Sequence, residues 1–177
     1  MDKEQRDLFA YIGVCLICVK MAERALQSAI ETVLDDEGAK LAEQSEPERK
    51  QTLGEFLKKL KRRVKLPLHL KERLYGFLRM RNRLIHEFDF NFSTEMGRKE
   101  ARLFLSELSV AAMAIFALMT AIFQAWAQDE HGVDFFEVEA EETRRIIKLM
   151  GKQFGSLARE VLAGRNRVRA SRTRVRS

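Results

Sequence analysis

The chain has 177 residues, of which 46% are hydrophobic and 33% charged, with only 2 prolines and 9 glycines. That length suits one domain with a real core and excludes two comfortable ones, while scarce chain breakers among abundant Leu, Ala, Glu, Lys and Arg exclude a many-stranded sheet. The net charge of +6 does not describe a basic body, because residues 164–177 hold Arg165, Arg167, Arg169, Arg172, Arg174 and Arg176 with no acid, which leaves residues 1–163 formally neutral.

From Lys3 to about Leu34, apolar residues recur at helical spacing through Phe9, Ile12, Leu16, Val19, Leu26, Ile30 and Val33, which predicts a first long helix. Met1 to Gln5 lead directly into charged helix, so no N-terminal signal peptide is expected and the localisation reads as cytoplasmic. Cys15 and Cys18 form a C-x-x-C inside the apolar stretch 12–19. A redox pair would need a βαβ context and a zinc site a second ligand pair, so buried structural thiols in a reducing cytoplasm are the better reading. No metal and no cofactor are expected.

Residues 35–48 are polar, contain Gly38 and Pro47, and read as a loop. Thr52 and Glu55 then make a capping box that starts a second helix, ending near Pro67. Its run 58–65 holds six basic residues among eight, read as a solvated face in preference to a binding patch. Pro67 opens a third helix running to about Phe88, and Ser93 or Thr94 caps a fourth that runs to about Gln128. Residues 129–142 form an acidic connector whose Phe135 and Phe136 are expected to anchor it to the body. A fifth helix covers roughly 141–162, interrupted in pattern by Gly151 and Gly155.

The fold expected is therefore all-α, an antiparallel bundle of four to five helices over residues 1–163, followed by a disordered Arg-rich tail, 164–177. The tail reads either as a phosphate-contacting arm for nucleic acid or as a solubilising segment. Within the fourth helix, 108–126 approaches the length of a bilayer span. Its alanines Ala114, Ala117, Ala121 and Ala125 fall on one side and Leu105, Leu108, Phe116, Met119 and Phe123 on the other, a division that favours a bundle centre over a membrane.

The third helix carries the densest chemistry, Arg81-Asn82-Arg83-Leu84-Ile85-His86. A fixed cation, an amide and an imidazole together bind a phosphate, orient a hydroxyl and move a proton near neutral pH. On a helical wheel Leu70, Leu74, Phe77, Leu84, Ile85 and Phe88 share one face, and Arg81 falls inside that stripe. An obligate cation there must snorkel, meet an acid, or line a cleft or subunit boundary. Asn82 and His86, four apart, stack on a neighbouring face close to Tyr75 and Arg79.

Arg81-Asn82-x-x-x-His86, late on an internal helix of a small all-α protein, resembles the R-x4-6-H motif of the HEPN superfamily, in which a polar residue often follows the arginine. The resemblance spans roughly residues 5–160, with the hexapeptide its specific part. It implies a HEPN-like dimer formed through the motif helix, with a composite, metal-independent endoribonuclease site, in a toxin, a phage-defence effector or an RNA-processing factor. Carried over by position, Arg81 would hold the scissile phosphate, His86 would act as general acid or base, and Asn82 would orient one of the reacting groups, giving a 2′,3′-cyclic phosphate and a 5′-hydroxyl.

The chain departs from one toxin subfamily, which has a modifiable tyrosine two residues after the histidine; here that position is Phe88. An antitoxin of another kind or a regulatory protein remains an expected partner beside RNA. Arg79 and Arg83 flank the motif as candidate phosphate contacts, and Glu87 is expected to face solvent in preference to tuning His86. The competing readings are a non-catalytic HEPN-like dimerisation or interaction module and a small membrane-associated helical protein.

Overall fold

The computed structural model describes residues 2–33, 54, 66–132 and 141–176. Over these the chain forms four α-helices and no strand. The first, α1 (Lys3–Ser28), starts at Asp2, whose carboxylate accepts the Gln5 N–H at 2.8 Å while the Gln5 side-chain oxygen accepts the Asp2 N–H at 3.2 Å. This reciprocal pair satisfies donors that a helix start otherwise leaves orphaned. The helix continues into a π-helical turn, Ala29–Val33, so the helical path follows the apolar spacing to Val33.

The next helix, α2 (Leu68–His86), has Pro67 at its N-cap with φ −55°. The ring fixes φ near the helical value, and the Pro67 carbonyl accepts the N–H groups of Leu70 and Lys71, both at 3.1 Å. In α3 (Glu95–His131) Thr94 is the N-cap, its hydroxyl accepting the Gly97 N–H at 3.1 Å. That helix closes on Gly132 at φ +64°, a left-handed cap that glycine adopts without steric cost. The last helix is α4 (Glu141–Arg176).

The core gathers around α3, which packs against α1, α2 and α4. Leu8, Cys15, Val19, Ala22 and Leu26 are buried on α1, Leu70, Leu74 and Phe77 on α2, and Phe154, Ala158, Val161 and Leu162 on α4. Two contacts fix the relative direction of α1 and α3. Arg98 Nε lies 3.2 Å from Glu4 Oε2, and Cys15 Sγ lies 3.7 Å from the Leu105 carbonyl oxygen. Both pairs advance together along the chain, so these neighbours run parallel. An antiparallel bundle was expected; among the described residues α1 and α3 instead share a direction.

The division of α3 into two sides holds. Leu105, Leu108 and Met119 are buried on the bulky side, and Ala117 and Ala121 are buried on the small one. Among the described residues α3 is the one helix long and apolar enough to cross a bilayer, a test that the core helix of a soluble protein also passes.

The end of the chain corrects an expectation. Residues 164–176 continue α4 rather than forming an irregular arm. Arginine and alanine are good helix formers, and a run attached to an existing helix avoids a new nucleation step. Arg165 is 3% exposed and its Nη2 pairs with the Glu130 carboxylate, so it belongs to the packed body. The loop 35–48, the capping box of Thr52 and Glu55, the basic run 58–65 and the anchor of Phe135 and Phe136 lie outside the described residues.

Candidate active site

The motif sits in the last turns of α2, and its two faces are treated differently by the fold. Leu70, Leu74, Phe77 and Leu84 are buried, whereas Tyr75, Arg79, Asn82 and His86 are exposed. Ile85, expected in the apolar stripe, lies at its margin and is 42% exposed.

Arg81 meets an acid. Its Nε–H donates to Glu23 Oε1 on α1 at 2.7 Å, with the two side chains 20% and 16% exposed respectively. The other carboxylate oxygen of Glu23 accepts from Lys20 Nζ at 2.7 Å. Arg81 Nη1 in turn donates to Asn82 Oδ1 at 3.1 Å. The result is a continuous array, Lys20–Glu23–Arg81–Asn82, with formal charge of one excess cation. It fixes the guanidinium stem and directs the Asn82 carbonyl oxygen toward it, leaving the Asn82 amide nitrogen for an external acceptor.

His86 is the last residue of α2 and faces solvent. Asn82 precedes it by four residues, on the same exposed side. Leu68 and Tyr75 stand on that side too, at seven-residue steps before Asn82, and Leu68 is 72% exposed. The Glu87 N–H closes the helix on the Arg83 carbonyl at 2.9 Å while its side chain faces solvent, as expected.

Past the helix, Phe88, Phe90 and Phe92 turn inward toward Phe104 of α3. Their ring centroids lie 5.1 Å apart for Phe88–Phe90, 5.7 Å for Phe88–Phe92 and 5.5 Å for Phe90–Phe104. Phe88, where the toxin subfamily carries tyrosine, is thus a packing residue of this cluster. Arg83 lies over Phe90 and Phe104 instead of standing free.

The candidate RNA-binding arginines therefore separate. Arg79 is exposed, Arg83 is half-exposed on its rings, and Arg165 is withdrawn into the Glu130 pair. Arg167 is exposed, its Nε 3.3 Å from the Ala163 carbonyl oxygen. Arg169, Arg172, Arg174 and Arg176 continue α4, and their side chains lie outside those described. Among the described residues no three His, Cys, Asp or Glu side chains group as metal ligands.

Sequence reasoning missed Glu23. The signal was present, since Glu23 sits three residues before Leu26 and four after Val19, an acid beside an apolar stripe that mirrors Arg81 within its own. The chain matches no protein-family model, no curated protein and no solved structure.

Proposed function

We propose that the protein is a metal-independent endoribonuclease of HEPN type, whose active site is completed when two α2 helices meet in a homodimer. One observation carries this reading: Arg81 is anchored sideways on Glu23, while Asn82 and His86 stand on the open face of the same helix. Anchoring pre-orients a cation for a phosphate, and exposure gives the imidazole access to a substrate. In one chain these groups lie open to water. A second copy encloses them, and the exposed Leu68 and Tyr75 on that side supply apolar contact for it.

The reaction is an internal transesterification. The ribose 2′-oxygen attacks the adjacent phosphorus, its proton passing to one His86 imidazole as the 2′-O–P bond forms. The P–O5′ bond breaks, and the second copy's His86 protonates the leaving oxygen. Arg81 stabilises the charge gathering on the phosphoryl oxygens, and the Asn82 amide orients the attacking or leaving group. The products are a 2′,3′-cyclic phosphate and a 5′-hydroxyl. A cytoplasmic toxin, phage-defence effector or RNA-processing factor, with or without a controlling protein, fits this chemistry.

The test is cleavage of single-stranded RNA in EDTA by the intact protein and by His86→Ala. The native chain should yield cyclic-phosphate ends, and the variant none, with unchanged unfolding. Retained cleavage in His86→Ala removes that residue from the mechanism. A second reading, a non-catalytic interaction module, draws on the occupation of Arg81 by Glu23. It requires intact RNA and a loss of self-association in Arg81→Ala.

A further inference from the structure

Arg83, the second arginine of the motif, has its guanidinium carbon 4.8 Å from the Phe90 ring centroid and 5.1 Å from that of Phe104. Those rings lie 5.5 Å from each other, and Phe88 braces both, at 5.1 Å from Phe90 and 6.1 Å from Phe104. The Arg83 side chain nevertheless remains 48% exposed. Asp89, the acid it faces, has Oδ1 3.9 Å from Nη2, too far for a hydrogen bond. A planar cation thus rests on aromatic rings with surface still open to solvent.

The rings are held before any ligand arrives. Asn91 Oδ1 accepts the Ser93 N–H at 3.1 Å, and Arg98 Nη1 donates to the Phe92 carbonyl at 3.1 Å. Arg98 also reaches Glu4, which ties the loop to α1. Arg83 lies three residues before His86 and four after Arg79, and so within one helical turn of each.

We propose that Arg83, backed by Phe90 and Phe104, is a stacking platform for one unpaired nucleobase of a single-stranded RNA. The base belongs to the nucleotide beside the phosphate that His86 addresses, so the proposal rests on the endoribonuclease reading for the placement of that phosphate. Guanidinium planes and aromatic rings take the π-face of any base. Preorganised rings lower the ordering cost of binding. Arg83 is then a reader of single-strandedness, since a base stacked inside a duplex offers no free face, rather than a further phosphate clamp.

The experiment uses full-length His86→Ala protein, which binds without cutting, and a short single-stranded RNA carrying 2-aminopurine at successive positions. Adding Arg83→Lys keeps the charge and removes the plane. Affinity should fall roughly tenfold, with an unchanged salt slope, and quenching of 2-aminopurine should vanish at one position. An abasic site at that position should cost His86→Ala the same loss and cost the Arg83→Lys form little more. Undiminished affinity and quenching in Arg83→Lys overturn the platform, as does a loss of affinity with quenching retained. If native protein cuts RNA yet Arg83→Lys has no effect, the platform alone falls. If RNA is bound with Arg83-dependent quenching but is never cut, the nuclease reading falls and the platform stands. No RNA binding at all refutes both.

Discussion

Glu23 and Arg81 lie 58 residues apart in sequence and 2.7 Å apart at their nearest side-chain atoms. Each is the answer to the other's misfit, an acid and a base set against apolar stripes on two helices. Glu23→Gln keeps the shape and removes the charge. Loss of a partly buried, charge-assisted bond should lower stability by about 1–3 kcal/mol, read in urea unfolding. Under the proposed chemistry it should also reduce kcat up to about a hundredfold with less effect on KM, because Arg81 is loosened but not removed. Unchanged unfolding and unchanged kcat would together show that the pair positions nothing.

Burial raises the Cys15 thiol above its ordinary value; the nearby Ser109 hydroxyl opposes this, and Cys18 adds to it. The native state therefore disfavours the thiolate relative to the unfolded chain. Its contribution is fully present below the unfolded value, near 9.0, and is lost as pH rises through the folded one. Thiol labelling at pH 8 should modify Cys18, which is partly exposed, before Cys15. Unfolding followed from pH 8 upward should show stability declining, and Cys15→Ala should flatten that decline.

Gly97 has no room for a side chain. A Cβ there would stand 2.1 Å from the Asn91 carbonyl oxygen, which is backbone and cannot swing aside. Gly97→Ala should cost about 1–3 kcal/mol through the forced shift of the loop. Because that loop carries Phe90 and Phe92, aromatic near-ultraviolet circular dichroism should change with it. A native spectrum and native stability would mean that the loop yields freely.

Arg165 and Glu130 form a pair with unequal ends, the guanidinium side chain 4% exposed and the carboxylate 42%. Removing the acid strands a buried cation, whereas replacing the cation by an apolar chain of similar volume strands nothing in the interior. Glu130→Gln should destabilise by about 1–2 kcal/mol after allowance for its exposure, and Arg165→Met should be near neutral. Under the proposed function, Arg165→Met should leave RNA affinity unchanged while Arg167→Ala weakens it. Equal losses from both would return Arg165 to the ligand-binding set.

Periodicity made the long helices legible because each must bury one face. The first helix, the Pro67 and Thr94 starts and the two-sided α3 all follow from residues a few positions apart. What was not legible depends on residues far apart in sequence. Glu23 could be seen as an oddity, but only the fold pairs it with Arg81. The parallel course of α1 and α3 has no local signature, since it depends on the path between them. The terminal arginines read as a tail because charge without apolar period looks like one, and nothing local marks Glu130 as the neighbour of Arg165. That Arg83 rests on Phe104 was not legible either, because the two lie 21 positions apart.

Helix α3 also sets a distance. Phe104 lies under Arg83 near its start, and Glu130 meets Arg165 near its end. At 1.5 Å per residue those two positions are about 39 Å apart along the helix. The Arg81–His86 motif and the beginning of the arginine run are therefore the two ends of a ruler. A strand stacked at the 3.4 Å spacing of a helical nucleic acid needs about a dozen nucleotides to touch both within one chain. Under the proposed ribonuclease function, RNA shorter than that engages one end alone, so affinity should climb with length and then level off near the span of α3.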